Sequence, residues 1–496
     1  MNVMVHLAVL IPVSLIALAF LLPVMTNYNF KYLKELAACI SIYNLILSIY
    51  IIYIVISRGP IEYHFGNWSP PWGIEFYIGN LEAIMIMLMT SVFLMVIIYA
   101  PPFIKKEISE KVKHWYYVLL FLLQSSLVGM IATNDLFNFF VFVEICAIAS
   151  VAIISVKDKR DSIEASLKYL FLSSAGSAFI LFAIGLLFMV TGHLNMNFVG
   201  EVLQERADMF PQTIKLSLVF MFIGLGLKAA LFPLHIWLPD AYTAAPTSST
   251  ALLAGLVGKA YVIGLIKILF QVYRLDILQR SNILSVILFL SALAIIMGSV
   301  FAIGQENIKR LLAYSSVAQV GYIFLGIGLI SEKGMSGGLL HVFNHALIKT
   351  LLFLSVGVII YKTGKNKISD FKGIGHEYPF TMLIFSISAL AMVGIPPLNG
   401  FISKWFLAIG TLEAGRPVYL VVILVSSLLN AIYYLPIIIN AFFGTSWNKY
   451  NWEFQRLNRR IWAPMIIMAI ALIFFGFFPN LPLYFIEKTT ALFLSL

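Results

Sequence analysis

The feature that most constrains this chain is a series of long apolar segments separated by short polar loops. We count fourteen such segments, and each has about the 20 residues that a helix needs to cross the hydrocarbon core of a bilayer. Only 11% of the residues are charged, whereas a soluble domain has about 25%. We therefore predict an all-α polytopic membrane protein with about 14 transmembrane helices. The predicted spans are residues 3–25, 32–57, 79–100, 114–133, 135–156, 162–191, 213–238, 247–272, 281–303, 310–331, 336–361, 378–410, 417–443 and 461–479, followed by an apolar tail at 481–496.

The composition excludes several classes of protein. There are 33 Lys and Arg against 23 Asp and Glu, but these basic residues lie in short loops, which is not the single basic face of a nucleic-acid-binding protein. The only cysteines are Cys39 and Cys146, both in apolar segments, so a disulfide framework and a CxxC metal site are excluded. No loop is long enough to hold a soluble catalytic domain, and we find no catalytic chemistry that belongs to this chain itself.

The loop charges predict how the chain is oriented, because cytoplasmic loops carry an excess of Lys and Arg. Nineteen basic residues lie in one set of alternate loops, namely Lys31, Lys34, Lys105, Lys106, Lys111, Lys113, Lys157, Lys159, Arg160, Lys309, Arg310, Lys362, Lys365, Lys367, Lys372, Lys449, Arg456, Arg459 and Arg460. The other set has seven, namely Arg58, Arg206, Arg274, Arg280, Lys333, Arg416 and Lys488. We expect a multi-pass protein of the cell membrane with the first set in the cytoplasm and both termini outside it.

Several charged side chains lie inside apolar segments, where an ionisable group costs several kcal/mol and marks a functional site by default. Glu144 follows Asp135 by nine residues in segment five, which places it about 13 Å along the helix and close to the bilayer centre. Segments seven, eight and twelve each contain a lysine, and segment eleven has two histidines and a lysine on one helical face. These residues are Lys228, Lys259, Lys404, His341, His345 and Lys349.

Each of these charges also has a structural interpretation. Lys168 and Lys267 lie nearer the ends of their segments, where a lysine side chain can snorkel to the membrane interface. Glu144 and Lys228 could form a buried ion pair that fixes the packing of two helices, although such a pair contributes little stability.

Lys259 of segment eight and Lys404 of segment twelve have no obvious acidic partner in the membrane, and a buried lysine without one gives up its proton easily. We interpret those two as proton-relay residues.

The histidines of segment eleven, His341 and His345, have the i, i+4 spacing of a metal-binding pair. That helix carries no third ligand and no HExxH glutamate, however. A haem would need histidines on two facing helices, and only His114 and His235 remain for such a pairing. We therefore predict no metal site and no cofactor. We interpret the two histidines as titratable links in a polar chain, because histidine changes its charge near physiological pH.

Two predicted spans are interrupted by proline, segment seven at Pro233 and segment twelve at Pro396. A proline in a spanning helix frees backbone groups that other groups must satisfy. Paired interruptions in two halves of a chain indicate inverted repeats around an ion path, and each break here has a lysine nearby. We predict discontinuous helices seven and twelve within two inverted five-helix repeats. The predicted domains are residues 1–113 with helices 1–3, 114–272 with helices 4–8, 273–443 with helices 9–13, and 444–496 with helix 14 and the apolar tail.

Six stretches are similar to signature sequences of a known family. They are NDLFNFFVFVE (134–144), LKYLFLSSAGSA (167–178), KAALFPLHIWLPDAYTAAPT (228–247), QENIKRLLAYSSVAQVGY (305–322), HVFNHALIKTLLFL (341–354) and GIPPLNGFISKW (394–405). The chain resembles the antiporter-like subunits of respiratory complex I, of the Mrp cation/proton antiporters and of membrane-bound hydrogenases. The stretches occur in order from segment five to segment twelve, and the resemblance covers most of the chain.

The resemblance implies a proton route through Glu144, Lys228, Lys259, His341, His345 and Lys404, in which the glutamate modulates proton binding by the first lysine. The lysine of segment eight passes the proton to a central axis, the two histidines continue that axis, and the lysine of segment twelve releases the proton. We count as supporting residues Lys168, His235, Asp240, Lys349, Pro233 and Pro396. Asn80 stands where many relatives have an acidic residue, which leaves the role of that loop open.

The resemblance leaves the member of the family open. The chain stops at Leu496, without the lateral helix of the largest complex I subunit or the further domains of the largest Mrp subunit, so we expect neither. We favour a protein of the Mrp D type, either in a cation/proton antiporter or as the ion-pumping module of a membrane-bound hydrogenase or ferredoxin-linked complex. One complex I subunit type often has an acid at the segment-twelve position, so the basic Lys404 disfavours that type weakly. The alternatives are the N-type subunit of an NADH:quinone oxidoreductase and a quinone-binding redox subunit.

The expected partners are other membrane subunits of an Mrp-type or complex I-like assembly, and the expected cargo is protons, with Na⁺ as an open alternative. A lone carrier of a small solute would also use broken helices near the midplane, but a series of lysines and histidines suits proton movement better than a solute pocket. Buried unpaired lysines count against a purely structural scaffold. Whether the complex is driven by a redox reaction or by an ion gradient stays open at this point.

Overall fold

A computed structural model of the protein describes residues 6–26, 32–444 and 458–496. The first half of the chain contains α1 (Leu7–Thr26), α2 (Leu33–Arg58), α3 (Asn80–Tyr99), α4 (Pro101–Glu107), α5 (Lys113–Ala132), α6 (Leu136–Ser155), α7 (Arg160–Thr191), α8 (Met196–Arg206), α9 (Pro211–Lys228), α10 (Leu238–Ala244), α11 (Thr247–Leu252), α12 (Gly258–Lys267) and α13 (Arg274–Arg280). The second half contains α14 (Ile283–Ile303), α15 (Ile308–Leu329), α16 (Glu332–Thr363), α17 (Ile374–Glu377), α18 (Pro379–Val393), α19 (Asn399–Glu413), α20 (Val418–Phe443), α21 (Arg459–Phe477) and α22 (Asn480–Ser495).

Within these described ranges, 12 helical stretches are long and apolar enough to cross a membrane. The two remaining predicted spans are the two that contain a break. Helix seven ends as α9 at Lys228 and resumes as α10 at Leu238, and helix twelve ends as α18 at Val393 and resumes as α19 at Asn399. The predicted membrane fold and its two discontinuous helices are therefore confirmed.

A short antiparallel β-hairpin marks one face of the bundle. It is formed by β1 (Ile61–His64) and β2 (Glu75–Ile78), with His64 opposite Glu75, and it lies between α2 and α3. A backbone bridge from Phe76 to Thr133 joins it to the loop between α5 and α6. We call this side of the bundle the hairpin face. The loops of the opposite side carry most of the basic residues, and we call that side the basic-loop face.

The eighth span differs from its prediction. The predicted range is 247–272, but the span runs from Thr247 to Arg280 and contains two π-helical stretches, Leu253–Val257 and Ile268–Tyr273. Almost every side chain along this span is buried, so the sequence has no polar face whose periodicity could reveal a change of helical pitch. π-Helical turns are frequent at functional sites, and the lysines of this span lie next to both of them.

The C-terminal helix α22 packs across the ends of other helices at the hairpin face. The Ser336 hydroxyl donates to Thr490 at 3.1 Å, and Lys333 forms an ion pair with Glu487 at 3.4 Å. The rings of Phe270 and Phe493 stack with their centroids 5.4 Å apart. The apolar tail therefore closes the hairpin-face end of the eighth and eleventh spans.

Two glycines let α7 and α9 approach each other closely, which brings the side chains of both helices near to α6. A Cβ atom on Gly224 would lie 2.7 Å from the carbonyl oxygen of Gly176, and a Cβ on Gly176 would lie 3.0 Å from the carbonyl oxygen of Gly224. Helix association in lipid depends on van der Waals packing rather than on a hydrophobic driving force, so small residues at such crossings matter.

We expect Gly176→Leu to push α7 and α9 apart and to destabilise the protein by about 1–3 kcal/mol through overpacking. The measurement is the thermal unfolding midpoint of the detergent-solubilised complex. Gly185→Leu is the matched control, because Gly185 lies on the same helix with nothing within 4 Å of the added Cβ. An equal fall of the midpoint in both variants would contradict the assignment of Gly176 to a tight crossing.

Candidate functional site

The structure brings the predicted Glu144 and Lys228 together. The ammonium Nζ of Lys228, at the C-terminal end of α9, lies 3.1 Å from Oε1 of Glu144 on α6. The same ammonium donates to the Ser173 hydroxyl at 3.1 Å, and the Ser177 hydroxyl donates to the Glu144 carboxylate. Lys228 is fully buried, whereas the Glu144 side chain is 34% exposed. The two serines belong to the quoted stretch 167–178, but nothing in their spacing singled them out.

Lys259 lies on α12 and is the next lysine of the predicted route. Its ammonium donates to the carbonyl oxygen of Ala254 in the first π-helical stretch, and no carboxylate forms an ion pair with it in the described part of the chain. The same π-helical stretch packs against α16, since a Cβ on Gly255 would collide with Thr350 and lie 3.5 Å from the carbonyl oxygen of Ala346. Lys259 is therefore bonded to a π-helical stretch that touches the helix of the predicted histidines next to His345.

The predicted polar link on α16 is a buried chain of side chains. His341 contacts the Ser403 hydroxyl through Nδ1 at 2.9 Å and the Gln319 side-chain oxygen through Nε2 at 3.0 Å. Its ring stacks on that of His345 with centroids 6.0 Å apart. Neither ring nitrogen of His345 has a hydrogen-bond partner among the described residues. One turn further on, the Lys349 ammonium donates to the carbonyl oxygen of Leu312 at 2.8 Å and to the Ser315 hydroxyl.

Lys404 occupies the break in helix twelve. Its ammonium donates to the carbonyl oxygens of Met392 and Val393 at 2.9 and 3.0 Å, which are the last carbonyls of α18 and have no helical partner. The same ammonium lies 4.8 Å from the centre of the Tyr322 ring, whose centroid is 5.5 Å from that of His341. The buried polar chain on α16 thus reaches Lys404.

Three of the predicted supporting residues lie away from the Glu144–Lys228 pair: Lys168 and Asp240 belong to one charged group, and His235 lies apart from it. Lys168 and Arg310 both bind Asp240, at 3.1 and 2.6 Å, and this group does not contact the Glu144–Lys228 pair. His235 is buried with its ring stacked on Phe232 at 5.3 Å, and its Nδ1 has no partner among the described residues. Both proline breaks are present, as predicted.

The snorkelling interpretation of Lys267 is wrong. Its side chain is only 1% exposed and forms an ion pair with Glu82 at 3.1 Å. Snorkelling needs a free path for the side chain to the interface, and the hairpin and α22 cover the end of this span. Glu82 is not among the predicted site residues, because it lies in the first turn of α3, where an acidic residue commonly interacts with the helix dipole.

A second group of charged side chains connects the end of α4 with the start of α11 at the basic-loop face. Glu107, at the end of α4, accepts hydrogen bonds from the backbone N–H and the hydroxyl of Thr247 at 2.9 and 2.6 Å. Lys157 lies 3.3 Å from the same carboxylate, and both Lys157 and Lys309 donate to the carbonyl oxygen of Ala245. Burial alone would raise the pKa of the Glu107 carboxyl, but Lys157, Thr247 and Lys309 together lower it.

We expect Glu107→Gln to destabilise the complex by about 1–3 kcal/mol at pH 7, because it weakens the bonds that hold the start of α11. A carboxyl with a lowered pKa contributes its stabilisation above the ordinary value of about 4.3 and loses it as the pH falls through the lowered value. The difference in unfolding midpoint between wild type and variant should therefore shrink at acidic pH. Glu110→Gln, at an exposed carboxylate, is the control, and a difference that stays constant with pH would contradict this role.

Comparison with known proteins adds to this geometry. Residues 133–430 match the transmembrane region of the NADH:quinone oxidoreductase/Mrp antiporter family. The chain is 42% identical over 383 residues to NADH-quinone oxidoreductase subunit N of Desulforudis audaxviator, an alignment that covers 77% of this chain and 75% of the relative. It is 31% identical over 393 residues to the putative antiporter subunit mnhD2 of Staphylococcus saprophyticus, which covers 79% of this chain and 76% of the relative. A chain of the membrane-bound sulfane sulfur reductase, an archaeal respiratory membrane complex, superposes with a TM-score of 0.89 at 30% identity over 98% of this chain and 97% of that chain.

Proposed function

Because the chain belongs to the NADH:quinone oxidoreductase/Mrp antiporter family, we propose that it moves protons across the membrane along the buried residues between Glu144 and Lys404. The protein is an antiporter-like membrane component of a multisubunit complex. The observation that carries the proposed route is a series of buried titratable side chains on packed helices, namely Lys228, Lys259, His345, His341 and Lys404. An ionisable side chain at membrane depth is costly, and several in one series are difficult to explain by stability alone.

The first step of the proposed mechanism is electrostatic. The Glu144 carboxylate stabilises the Lys228 ammonium at 3.1 Å, and charges in a low-dielectric interior interact strongly. When the two move apart, Lys228 loses that stabilisation and its proton passes toward Lys259. The proton continues through His345 and His341 and leaves at Lys404, and each amine is then ready to accept the next proton.

The orientation and the repeats belong to the same proposal. With the basic-loop face in the cytoplasm, both termini lie outside it, and one half-path opens to each side of the membrane. The basic residues that support this orientation include Lys31, Lys449 and Arg456, which lie outside the described residues. We assign the two inverted five-helix repeats, predicted at residues 114–272 and 273–443, to one unit around each broken helix, with the boundary moved to the end of the eighth span at Arg280.

A partly exposed stripe on α6 supports assembly with other membrane subunits. The Glu144 side chain is 34% exposed, and Phe137, Val141 and Ile148 are exposed on the same side of the helix. A carboxylate facing lipid at this depth is unfavourable, so we assign this stripe to a contact with a neighbouring subunit that covers Glu144.

The identity of the other subunits determines which kind of complex contains this chain. The likeness to mnhD2 and to a chain of a respiratory sulfur reductase supports the Mrp D-type assignment. The likeness at 42% identity to an N-type subunit supports an NADH:quinone oxidoreductase as the second candidate. Mass spectrometry of the complex captured through a tag on this chain separates them. Small membrane subunits alone would indicate a gradient-driven antiporter, whereas iron–sulfur or nickel–iron subunits would indicate a redox-driven pump.

The experiment that tests the proposed function is proton transport by membrane vesicles that contain the assembled complex, followed with a pH-sensitive dye. Wild-type vesicles should build a pH difference when the complex is driven by its partner reaction or by a cation gradient. Vesicles with Lys228→Ala should not. Equal pH differences in both preparations would overturn the proposal.

A further inference from the structure

A second buried glutamate–lysine pair lies toward the hairpin face, outside the route proposed above. Lys267, the last residue of α12, forms an ion pair with Glu82 of α3 at 3.1 Å, and the side chains are only 1% and 4% exposed. The other hydrogen bonds of both groups go to the backbone. The Lys267 ammonium donates to the carbonyl oxygens of Ile131 and Thr133 at 2.7 and 3.2 Å, and Glu82 accepts from the backbone N–H of Gly79 at 3.0 Å.

A cavity of about 240 Å³ reaches Glu82, the acidic member of this pair, from the hairpin face. Its rim includes the exposed Pro60, Lys488 and Leu492, and its inner wall includes Glu82 and Gln271. A water molecule occupies about 30 Å³ in the liquid, so the cavity has room for several. One side of the buried pair therefore borders a space that connects it with the surface of the hairpin face.

Gln271 supplies a second, independent sign that this cavity is used. Gln271 is only 8% exposed, and its side-chain oxygen has no hydrogen-bond partner among the described residues. An unsatisfied buried amide oxygen costs about 1–3 kcal/mol unless a group in the adjoining space donates to it. Gln271 also lies within the π-helical stretch that begins directly after Lys267, and such stretches are frequent at functional sites.

The alternative for this pair is a purely structural role that fixes α3 against α12. A buried ion pair contributes little net stability, and a pair that served only packing would have no need of a water-sized path to the surface. Lys267 also lies on the same helix as Lys259, eight residues further toward the hairpin face, which corresponds to about 12 Å along the axis. The pair therefore lies between a residue of the proposed route and a cavity open to that face.

We propose that Glu82 and Lys267 form a proton outlet from the first half of the chain to the hairpin face. A proton that arrives from Lys259 through water is taken up as the Lys267 ammonium gives its own proton to the Glu82 carboxylate. The resulting carboxylic acid then transfers that proton to a water molecule in the cavity, which restores the carboxylate beside the Lys267 ammonium and leaves the pair ready for the next proton. This outlet rests on the proposed function, because it requires protons to reach Lys259.

The first test uses a charge-removal cycle in the assembled complex. We expect Glu82→Gln to lower proton transport by about half, since a side-chain amide cannot take up and release the proton and only the exit at Lys404 then remains. Glu82→Gln combined with Lys267→Met removes both charges and so leaves no unpaired buried charge, but transport should stay low. Recovery of transport in the double variant would overturn the outlet, because it would show that the pair matters only for its charge balance. Glu487→Gln, at a more exposed ion pair of the same face, is the control and should keep the wild-type rate.

The second test asks whether protons leave through the cavity. In a Cys39→Ser background, which removes an exposed cysteine, Leu492→Cys should react with a membrane-impermeant methanethiosulfonate applied from the hairpin face, and the reaction should lower transport by about as much as Glu82→Gln does. Leu481→Cys, on the exposed side of the same helix and outside the cavity, should react without blocking it. Transport that is unaffected by modification at position 492 would overturn the outlet.

Loss of transport in Lys228→Ala together with normal transport in Glu82→Gln would refute the outlet alone, whereas normal transport in Lys228→Ala would refute the whole proton route.

Discussion

Replacing Lys228 by alanine should stop proton transport by the complex while leaving the complex assembled. Lys228 is the fully buried cation opposite Glu144, so no neighbouring group can replace it as the first proton carrier of the proposed route. We expect the transport rate to fall roughly 100-fold or more, which corresponds to about 2.7 kcal/mol on the proton-transfer step. The measurement is the initial rate of dye quenching in vesicles, normalised to the amount of complex that co-purifies with the tagged chain.

Lys215→Ala is the matched control for that experiment. Lys215 lies on the same helix α9, but its side chain is exposed near the hairpin face, and it should be replaceable without loss of transport. Glu144→Ala should lower the rate as Lys228→Ala does, because the proposed first step needs both members of the pair. Retained transport in both the Glu144 and Lys228 variants, with an intact complex, would exclude the route through α9.

The candidate site residues predicted from the sequence are those whose unfavourable burial in lipid can be recognised from their position in an apolar run. Glu144, Lys228, Lys259 and Lys404 each interrupt an apolar run, so hydropathy alone marks them as unfavourable in lipid. The breaks at the two prolines are visible for the same reason, because proline removes a backbone donor that lipid cannot replace. Such local signals were sufficient for the spans, the two discontinuous helices and the membrane fold.

The residues that it missed depend on contacts between distant parts of the chain. Glu82 lies near a predicted helix start, where an acidic side chain is ordinarily solvated, and it is buried only because α22 and the eighth span pack over it. Ser173 and Ser177 are ordinary residues of an apolar helix until α6 and α9 approach them. The π-helical stretches have no signal in a span that is buried on every side. In each case the information lies in tertiary packing and not in periodicity.

The two lysines beside the broken helices also differ in a way that sequence could not reveal. Both were recognised by their proximity to a proline break, which suggests equivalent positions in two repeats. Lys228 is paired with a carboxylate, whereas Lys404 donates to the free carbonyls of Met392 and Val393. Lys404 thus combines a structural task, satisfying the end of α18, with its proposed task of releasing protons, and a substitution can separate the two.

We expect Lys404→Arg to close the proposed exit through the second half of the chain and so to lower proton transport by about half, while preserving assembly and thermal stability. A guanidinium keeps the positive charge and the donors that the carbonyl oxygens of Met392 and Val393 accept, but it does not lose its proton in proteins. Lys404→Met should lower transport to the same extent, and it should also lower stability by about 1–3 kcal/mol because two buried carbonyls are left unsatisfied. Transport rate and unfolding midpoint are measured on the same preparations, so that the two tasks are read separately.

The contrast between these variants decides what Lys404 does. If the arginine variant transports protons at the wild-type rate, the residue only caps the broken helix and the proposed exit is wrong. Gly394 packs against the Lys404 side chain, its added Cβ lying 2.9 Å from Cδ, so a bulkier arginine could disturb the break for steric reasons. Lys404→His addresses this case, because imidazole is compact and can gain and release a proton. It should recover part of the transport that arginine does not, since a proton exit depends on exchange at this position and not on charge alone.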